Sequence, residues 1–194
     1  NDIFFPYLEK SSINRIIHCG DIVDRRKYIN YLSASQLRKT FLQRCFDEKI
    51  HTSIIIGNHD SFYKNTNEVN SMNELCQAYK EYIEWFDEPT HITVNGNRIA
   101  LIPWITTENY DKTLKFINNS DAKVCLGHLE LKGFGMYKGI INEHGTDPSI
   151  FSRFNFVGSG HYHHKSSKGN MHYFGAPYQI TMSDFDDSRG FHVF

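Results

Sequence analysis

Two observations predict an α/β fold for this sequence. Short apolar runs rich in β-branched residues alternate with amphipathic stretches, and each run ends at a polar turn that contains glycine. The chain has 194 residues, of which 40% are hydrophobic and 22% charged. This is the composition of a globular domain that is long enough to bury a core. We therefore expect residues 1–194 to form one domain.

In the first half of the chain, strands are expected where β-branched residues cluster and helices where apolar residues recur on one face. Serine residues are placed to cap two of these helices. The elements expected in order are a helix end over 3–11, a strand over Arg15–Cys19, a helix from Ser33 or Ser35 to about Lys49, a strand over Ser53–Ile56 and a helix from Ser71 to about Tyr82.

The second half begins with a predicted hairpin, because Asn95-Gly96 between two apolar runs is typical of a tight turn. Later glycines mark the ends of further short strands. The elements expected in order are the hairpin over 93–102, a helix over Tyr110–Ile117, a strand over Lys123–Leu126, a short helix near Ser149–Phe154, a strand at Phe156-Val157, a strand over Met171–Phe174 and a closing strand over Phe191–Phe194.

Charge and cysteine spacing exclude several classes of protein. The formal net charge of −1 argues against a polybasic protein that grips nucleic acid with its whole surface. Apolar runs such as Ile54-Ile55-Ile56 are far shorter than the ~20 residues of a membrane-spanning helix. The four cysteines lack Cys-x-x-Cys spacing, which favours free thiols in a reducing compartment. We expect a cytoplasmic protein without a membrane segment, in the host cytoplasm if the protein is viral.

Four predicted strands end in the same way, with a glycine near a side chain that can bind a metal ion. The four side chains are Asp21, Asn58, His128 and His161, and His163 follows on the same side of an extended segment. Because the carboxyl ends of strands form the ligand-binding edge of open α/β sheets, these residues are expected around one crevice. A set of carboxylate, amide and imidazole ligands suits Mn²⁺, Fe²⁺ or Zn²⁺ in a hydrolytic centre.

This series of motifs resembles the calcineurin-like metallophosphoesterase superfamily. The motifs are Gly20-Asp21-Ile22-Val23-Asp24, Gly57-Asn58-His59-Asp60, Gly127-His128 and Gly160-His161-Tyr162-His163. Within the superfamily, the residues around the first two motifs, together with Gly175-Ala176-Pro177 and Arg189-Gly190-Phe191, resemble the SbcD-type DNA repair and recombination nucleases. The tracts Leu101–Trp104 and Leu126–Phe134 look closest to the phage members of that group.

The resemblance implies a four-layer α-β-β-α sandwich and two metal ions, usually Mn²⁺, with Mg²⁺, Fe²⁺ or Zn²⁺ as alternatives. Asp21 would bridge both ions, and His163 would bind the second. The remaining ligands of the first ion would be Asn58, His128 and His161. The resemblance also implies that His59 steadies or protonates the departing oxygen and that the Asp24 carboxylate orients its imidazole ring.

One motif of the superfamily is absent. Its members open with Asp-x-His on the first strand, which supplies two ligands to the second metal ion, but none of the eleven histidines here has Asp two residues before it. The first residues contain neither an initiator Met nor a leader, so we expect the first strand of the sandwich to lie upstream of Asn1; the alternative is that the motif has been replaced. We also expect the capping domain of this family, with its C-terminal helices, to lie beyond Phe194.

The expected function is a manganese-dependent DNA nuclease, cutting as an exonuclease or endonuclease. Four loop lysines, Lys27, Lys64, Lys132 and Lys138, could contact backbone phosphates. The family further implies an SbcC-type, SMC-like ATPase partner and a homodimer in the complete protein. Two alternatives stay open: a small-molecule phosphodiesterase or phosphatase on the same scaffold, and a catalytically incomplete binding or scaffold module.

Overall fold

The computed structural model describes residues 2–137 and 139–194, and its strands pair in two main sheets. The α-helices of this described part are Phe4–Lys10 (α1), Tyr31–Leu37 (α2), Gln43–Asp47 (α3), Ser71–Leu75 (α4) and Tyr110–Asn119 (α5). A π-helical turn, Arg38–Leu42, joins α2 to α3, and short 3₁₀ segments cover Gln77–Tyr79, Pro148–Phe151 and Met182–Asp184.

The described strands are Arg15–His18 (β1), His51–Ile55 (β2), Ile83–Phe86 (β3), Thr90–Val94 (β4), Asn97–Ile102 (β5), Val124–Gly127 (β6), Gly135–Tyr137 (β7), Ile140–Ile141 (β8), Phe156–Ser159 (β9), Ser166–Lys168 (β10) and Met171–Tyr173 (β11). The strands of the first sheet are all parallel, in the order β1-β2-β3. The second sheet has the order β10-β11-β9-β6-β5-β4, with parallel pairing from β11 to β5 and an antiparallel strand at each edge. A small separate hairpin pairs β7 with β8.

Three apolar cores divide the molecule into four layers, α-β-β-α, as predicted. The central core joins the inner faces of the two sheets through Ile55, Leu101 and Leu126. A second core packs α1, α3 and α4 on the outer face of the first sheet, and a third packs α5 and neighbouring loops on the outer face of the second. The run Ile54-Ile55-Ile56 is fully buried because alternate residues enter different cores.

Several element predictions are confirmed. The hairpin at Asn95-Gly96 forms, with both residues at positive φ (50° and 78°), as a tight turn between right-twisted strands requires. The helix expected over Tyr110–Ile117 is also present, as α5.

All four cysteines are free, and only Cys19 is more than slightly exposed. In the described part of the chain, no helix has the length and apolar character to cross a bilayer.

Other element predictions are wrong. The second helix is capped by Asn30, whose side chain accepts a hydrogen bond from Ser33 N at 2.9 Å, rather than by a serine. The helix expected from Ser71 to Tyr82 ends at Leu75, and its N-cap is Asn70. Four strands, β3, β7, β8 and β10, were not expected from the sequence.

The closing strand expected over 191–194 does not form in the described chain. The ring of Phe191 packs against Phe4 and Tyr7 of α1, with centroids 5.0 and 5.2 Å away. The Phe194 ring packs against Phe156, 5.5 Å away. Aromatic packing, and not a hydrogen-bonded ladder, therefore holds this segment in place.

Candidate metal centre

The predicted ligands lie where strands of both sheets end. Asp21 follows β1 and Asn58 follows β2 in the first sheet, whereas His128 follows β6 and His161 follows β9 in the second. Since each pair of strands is parallel and in register, both ligands of a pair leave the same edge of their sheet. The facing sheets bring the two pairs together.

Four side chains converge at this edge. The ligand atoms of Asp21, His128 and His161 all lie within 4.8 Å of one another. His128 Nε2 is 3.2 Å from Asp21 Oδ2. Asn58 Oδ1 lies 2.9 Å from His128 Nε2 and 3.0 Å from His161 Nδ1. Two oxygens and two imidazole nitrogens therefore face one point, and this donor set fits a divalent cation of the Mn²⁺, Fe²⁺ or Zn²⁺ type.

The orientation of His128 is fixed by its second ring nitrogen. Nδ1 of this buried histidine lies 2.7 Å from the carbonyl oxygen of Cys19. A carbonyl only accepts hydrogen bonds, so Nδ1 carries the proton and Nε2 keeps its lone pair in the neutral ring. This is the arrangement by which proteins hold a metal-ligating histidine in one tautomer.

The backbone is strained at two of the ligands. Asp21 and His161 adopt φ angles of 55° and 81°, a left-handed conformation that non-glycine residues rarely take. The loops that carry Asp21 and Gly57 also approach each other closely, because a Cβ at Gly57 would lie 2.2 Å from Asp21 Oδ1. Only glycine fits at position 57 while Asp21 keeps its place.

Electrostatics couple the carboxylate to the two imidazoles. Burial alone would raise the pKa of Asp21, but the charge and hydrogen bond of His128, together with the His59 N–H and imidazole, outweigh burial and leave that pKa below its usual value. Burial lowers the pKa of His128, and the facing Asp21 carboxylate more than compensates, so the net shift is upward. Burial lowers the pKa of His161 to about 3, and His128 adds to the shift. His161 is therefore a neutral imidazole at pH 7, the form that binds metal ions.

Asp60 is a central residue of the site that the sequence analysis did not assign. Its side chain is 1% exposed and accepts hydrogen bonds from four backbone N–H groups. Oδ2 accepts from Asp21 N and Gly57 N, both at 2.8 Å. Oδ1 accepts from Ile22 N at 3.0 Å and from Val23 N at 3.3 Å. One carboxylate thus fixes the two loops that carry Asp21 and Asn58.

The sequence carried a weak signal for the role of Asp60, because this acidic residue directly follows Asn58 and His59 in a turn. Burial, followed by the nearby Asp21 carboxylate, raises the pKa of Asp60 to about 6, although its backbone hydrogen bonds oppose the shift.

A second residue that the sequence did not assign is Trp104, whose ring centroid lies 5.2 Å from that of His161 and 6.1 Å from that of His128. This indole covers one side of the imidazole pair.

His59 borders the cluster without belonging to it. Its backbone N–H donates to Asp21 Oδ1 at 2.7 Å, and its Nδ1 contacts the backbone carbonyl oxygen of Asp24. The contact predicted for the Asp24 carboxylate is therefore made by the main chain. The carboxylate lies instead 3.5 Å from Arg25 Nε, where both side chains are largely exposed. The loop 21–24 still orients the imidazole, through a different atom of Asp24.

His163 stands apart from the four-residue cluster. Its Nδ1 lies 3.6 Å from Oδ2 of Asp184, a carboxylate with no exposed surface. Arg189 Nη2 lies 3.3 Å from the other oxygen of Asp184, and Arg189 also donates to the carbonyl oxygen of His163. Among the described residues, the acidic and imidazole groups that could jointly hold an ion are Asp21, His128 and His161.

The four predicted DNA-contacting lysines differ in their surroundings. Lys27 Nζ lies 5.7 Å from the centre of the exposed Phe62 ring. Lys64 is exposed in the loop after β2. Lys132 is paired with Asp147 at 2.8 Å. Lys138 lies outside the described residues.

Comparison with known proteins gives two matches. The family described as calcineurin-like phosphoesterase matches residues 3–170. Exonuclease subunit 1 of Enterobacteria phage T4 is 38% identical over 188 residues, which is 97% of this chain and 55% of the relative. The chain thus spans about half the length of the curated relative that it matches.

Proposed function

The chain belongs to the calcineurin-like phosphoesterase family, and from that premise we propose that its strand-end site hydrolyses phosphodiester bonds of DNA with divalent metal ions. The observation that carries the proposal is the convergence of Asp21, Asn58, His128 and His161. The likeness to a protein named as an exonuclease subunit supports DNA as the substrate.

Manganese is the proposed metal, since mixed oxygen and imidazole ligands accept it, with Mg²⁺, Fe²⁺ or Zn²⁺ as alternatives. Asp21, Asn58, His128 and His161 would hold one ion, and Asp21 with His163 would contribute to a second. When bound, the ions supply positive charge that neutralises the phosphoryl oxygens and lowers the pKa of water.

His59 is the proposed catalytic residue of the chain itself. Its Nδ1 is held by the Asp24 carbonyl oxygen, so Nδ1 carries a proton and Nε2 is left for the substrate. In the doubly protonated ring, Nε2–H can donate to the departing oxygen of the cut phosphodiester. The backbone N–H of His59 meanwhile holds Asp21 Oδ1 in place.

We propose that the complete protein extends this domain on both sides. An upstream strand bearing Asp-x-His would complete the second metal site, and β1 has room for it because β1 is an edge strand in the described part of its sheet. A capping domain and helices beyond residue 194 would bind an SbcC-type, SMC-like ATPase in a repair or recombination complex. The complete protein would form a homodimer and act in the cytoplasm, that of the host for a phage protein.

Hydrolysis assays on the complete protein separate this function from its alternatives. We expect Mn²⁺-dependent release of nucleotides from linear duplex DNA, and loss of that release in His128→Ala. Faster hydrolysis of bis-p-nitrophenyl phosphate than of DNA would favour a small-molecule phosphodiesterase, and hydrolysis of p-nitrophenyl phosphate would favour a phosphatase. If the protein hydrolyses none of these three substrates while both metal sites are filled, it is a binding or scaffold module.

A further inference from the structure

A cavity of about 500 Å³ is lined in part by Ile22, Val23 and Asp24, the residues that directly follow Asp21. It is bounded by the loop 22–30, by Ser33 and Leu37 of α2 and by Tyr178 from the C-terminal segment. The loop 22–30 directly follows Asp21, and Asp24 within it contacts the His59 imidazole. A cavity of this volume falls within the ~300–1,000 Å³ range of small-ligand sites.

The lining of the cavity combines two tyrosines with aliphatic side chains. The tyrosines are Tyr28 and Tyr178, which are 63% and 68% exposed, and the aliphatic residues include Ile22 and Leu37. Such a lining suits a planar aromatic ligand, because a ring stacked on a tyrosine removes apolar surface from water.

One cation, Arg25, is part of the cavity lining, together with the acidic Asp24, whose carboxylate lies 3.5 Å from Arg25 Nε. Arg25 also lies over the Tyr28 ring, 5.5 Å from its centre, and donates a hydrogen bond to the Tyr28 hydroxyl. Two further cations, Arg26 and Lys27, follow in the same loop and contact Tyr63 and Phe62 outside the cavity. These three consecutive cations match a ligand that carries phosphates next to its planar group.

We propose that this cavity binds an unpaired nucleobase of the DNA strand that is being cut, next to the phosphodiester at the metal centre. This inference rests on the proposed nuclease function and narrows its substrate. A base in a stacked duplex cannot enter a side cavity, so the strand end must be frayed or single-stranded there. Stacking on tyrosine rings is open to every base, so the cavity accepts any sequence.

A fluorescent base tests the proposal without any cleavage. The complete protein is titrated, in EDTA, into a duplex with a short single-stranded end that carries 2-aminopurine, whose emission falls when it stacks. We expect quenching by the wild-type protein and its loss in the double variant Tyr28→Leu/Tyr178→Leu. Binding of the single-stranded end should weaken by at least about fivefold, the low end of what base stacking on one ring contributes.

Tyr110→Leu is the matched control, since Tyr110 is also an exposed tyrosine, 42% accessible, but begins α5 on the other sheet. It should quench like the wild type, and circular dichroism should give all three proteins the same fold. Absence of quenching by the wild type, or quenching that survives in the double variant, would overturn the proposal. So would an equal loss in Tyr110→Leu.

Failure of this proposal and failure of the proposed function give different results. A wild-type protein that hydrolyses duplex DNA with Mn²⁺ but leaves 2-aminopurine emission unchanged would keep the nuclease and lose the cavity assignment. A protein that quenches 2-aminopurine as expected but hydrolyses no phosphodiester would keep the base-binding cavity and lose the nuclease.

Discussion

His161 and His163 are two residues apart, yet their surroundings differ. His161 directly follows the turn at the end of β9 and faces Asp21, Asn58 and His128, which are placed by three other strand ends. His163 lies further from the strand and faces Asp184, a residue of the C-terminal segment. One half of the proposed centre is therefore assembled within these residues, whereas the other half has only Asp21 and His163.

The two surroundings also differ in how they are fixed. Backbone N–H groups hold the first through Asp60, which ties together the loops that carry Asp21 and Asn58. Side-chain charges hold the second, through Asp184 and Arg189. Ligand geometry set by main-chain hydrogen bonds depends little on salt and rotamers, so we expect tight binding at the first site and weaker binding at the second.

The largest expected effect is that of Asp21→Ala. Asp21 is the proposed ligand shared by both metal ions, so its removal should abolish nuclease activity and weaken both binding events. Calorimetric titration of Mn²⁺ into the variant measures this. If the variant binds Mn²⁺ at two sites with undiminished affinity, Asp21 does not bridge the two ions.

The second largest effect is expected for His59→Ala, which should lower the rate of hydrolysis without changing metal binding. His59→Ala should keep the metal affinity of the wild type and lose roughly 10²–10⁴-fold in rate, the usual contribution of general acid–base catalysis. His51→Ala, at the exposed start of β2, is the control and should change neither quantity. Loss of metal binding together with the rate in His59→Ala would make His59 a ligand.

Asp60→Asn tests the support of the first site. An amide offers one acceptor oxygen where the carboxylate offers two, so two backbone N–H groups lose their partner. We expect Mn²⁺ affinity to fall about 10- to 100-fold, as for other residues that orient metal ligands. Asp111→Asn, an exposed residue in the first turn of α5, is the control. Unchanged Mn²⁺ affinity in Asp60→Asn would mean that the loops hold their ligands without it.

Asp184→Asn should have the smallest effect. It removes the charge beside His163 but touches none of the four clustered ligands, so the tight site should be unaffected. In the complete protein, the weaker Mn²⁺ site should lose about tenfold in affinity, the low end of the range for such orienting residues. A loss at the tight site instead would contradict the separation of the two surroundings.

The sequence predicted best what depends on local pattern. The convergence of Asp21, Asn58, His128 and His161 could be predicted because each apolar run ends at a glycine near a polar residue, and parallel strands carry such ends to one edge. The hairpin at Asn95-Gly96 has an equally local cause. The role of Trp104 could not be found, and that of Asp60 had only a weak signal, because both depend on contacts between distant turns and loops that no periodicity encodes.

Two of the wrong predictions have the same cause, since the outcome depends on contacts that a local sequence pattern does not encode. The closing strand over 191–194 has the right residues, but a strand also needs an edge to pair with, and in the described chain these residues pack through aromatic rings instead. The Asp24 carboxylate was expected at His59 because the motif places the residue there. The carboxylate lies instead 3.5 Å from Nε of its neighbour Arg25, and the carbonyl oxygen of Asp24 contacts the imidazole.

Counting the Mn²⁺ ions bound by residues 1–194, and by a longer form that begins with an Asp-x-His strand, tests the central claim most directly. Two side-chain ligands seldom hold a divalent ion against water, and the two-ion mechanism needs both. We predict one tightly bound ion and little or no hydrolysis of duplex DNA for residues 1–194, and two ions with full activity for the longer form. Two tight ions and full activity in residues 1–194 would contradict the division of the centre into a complete and an incomplete half.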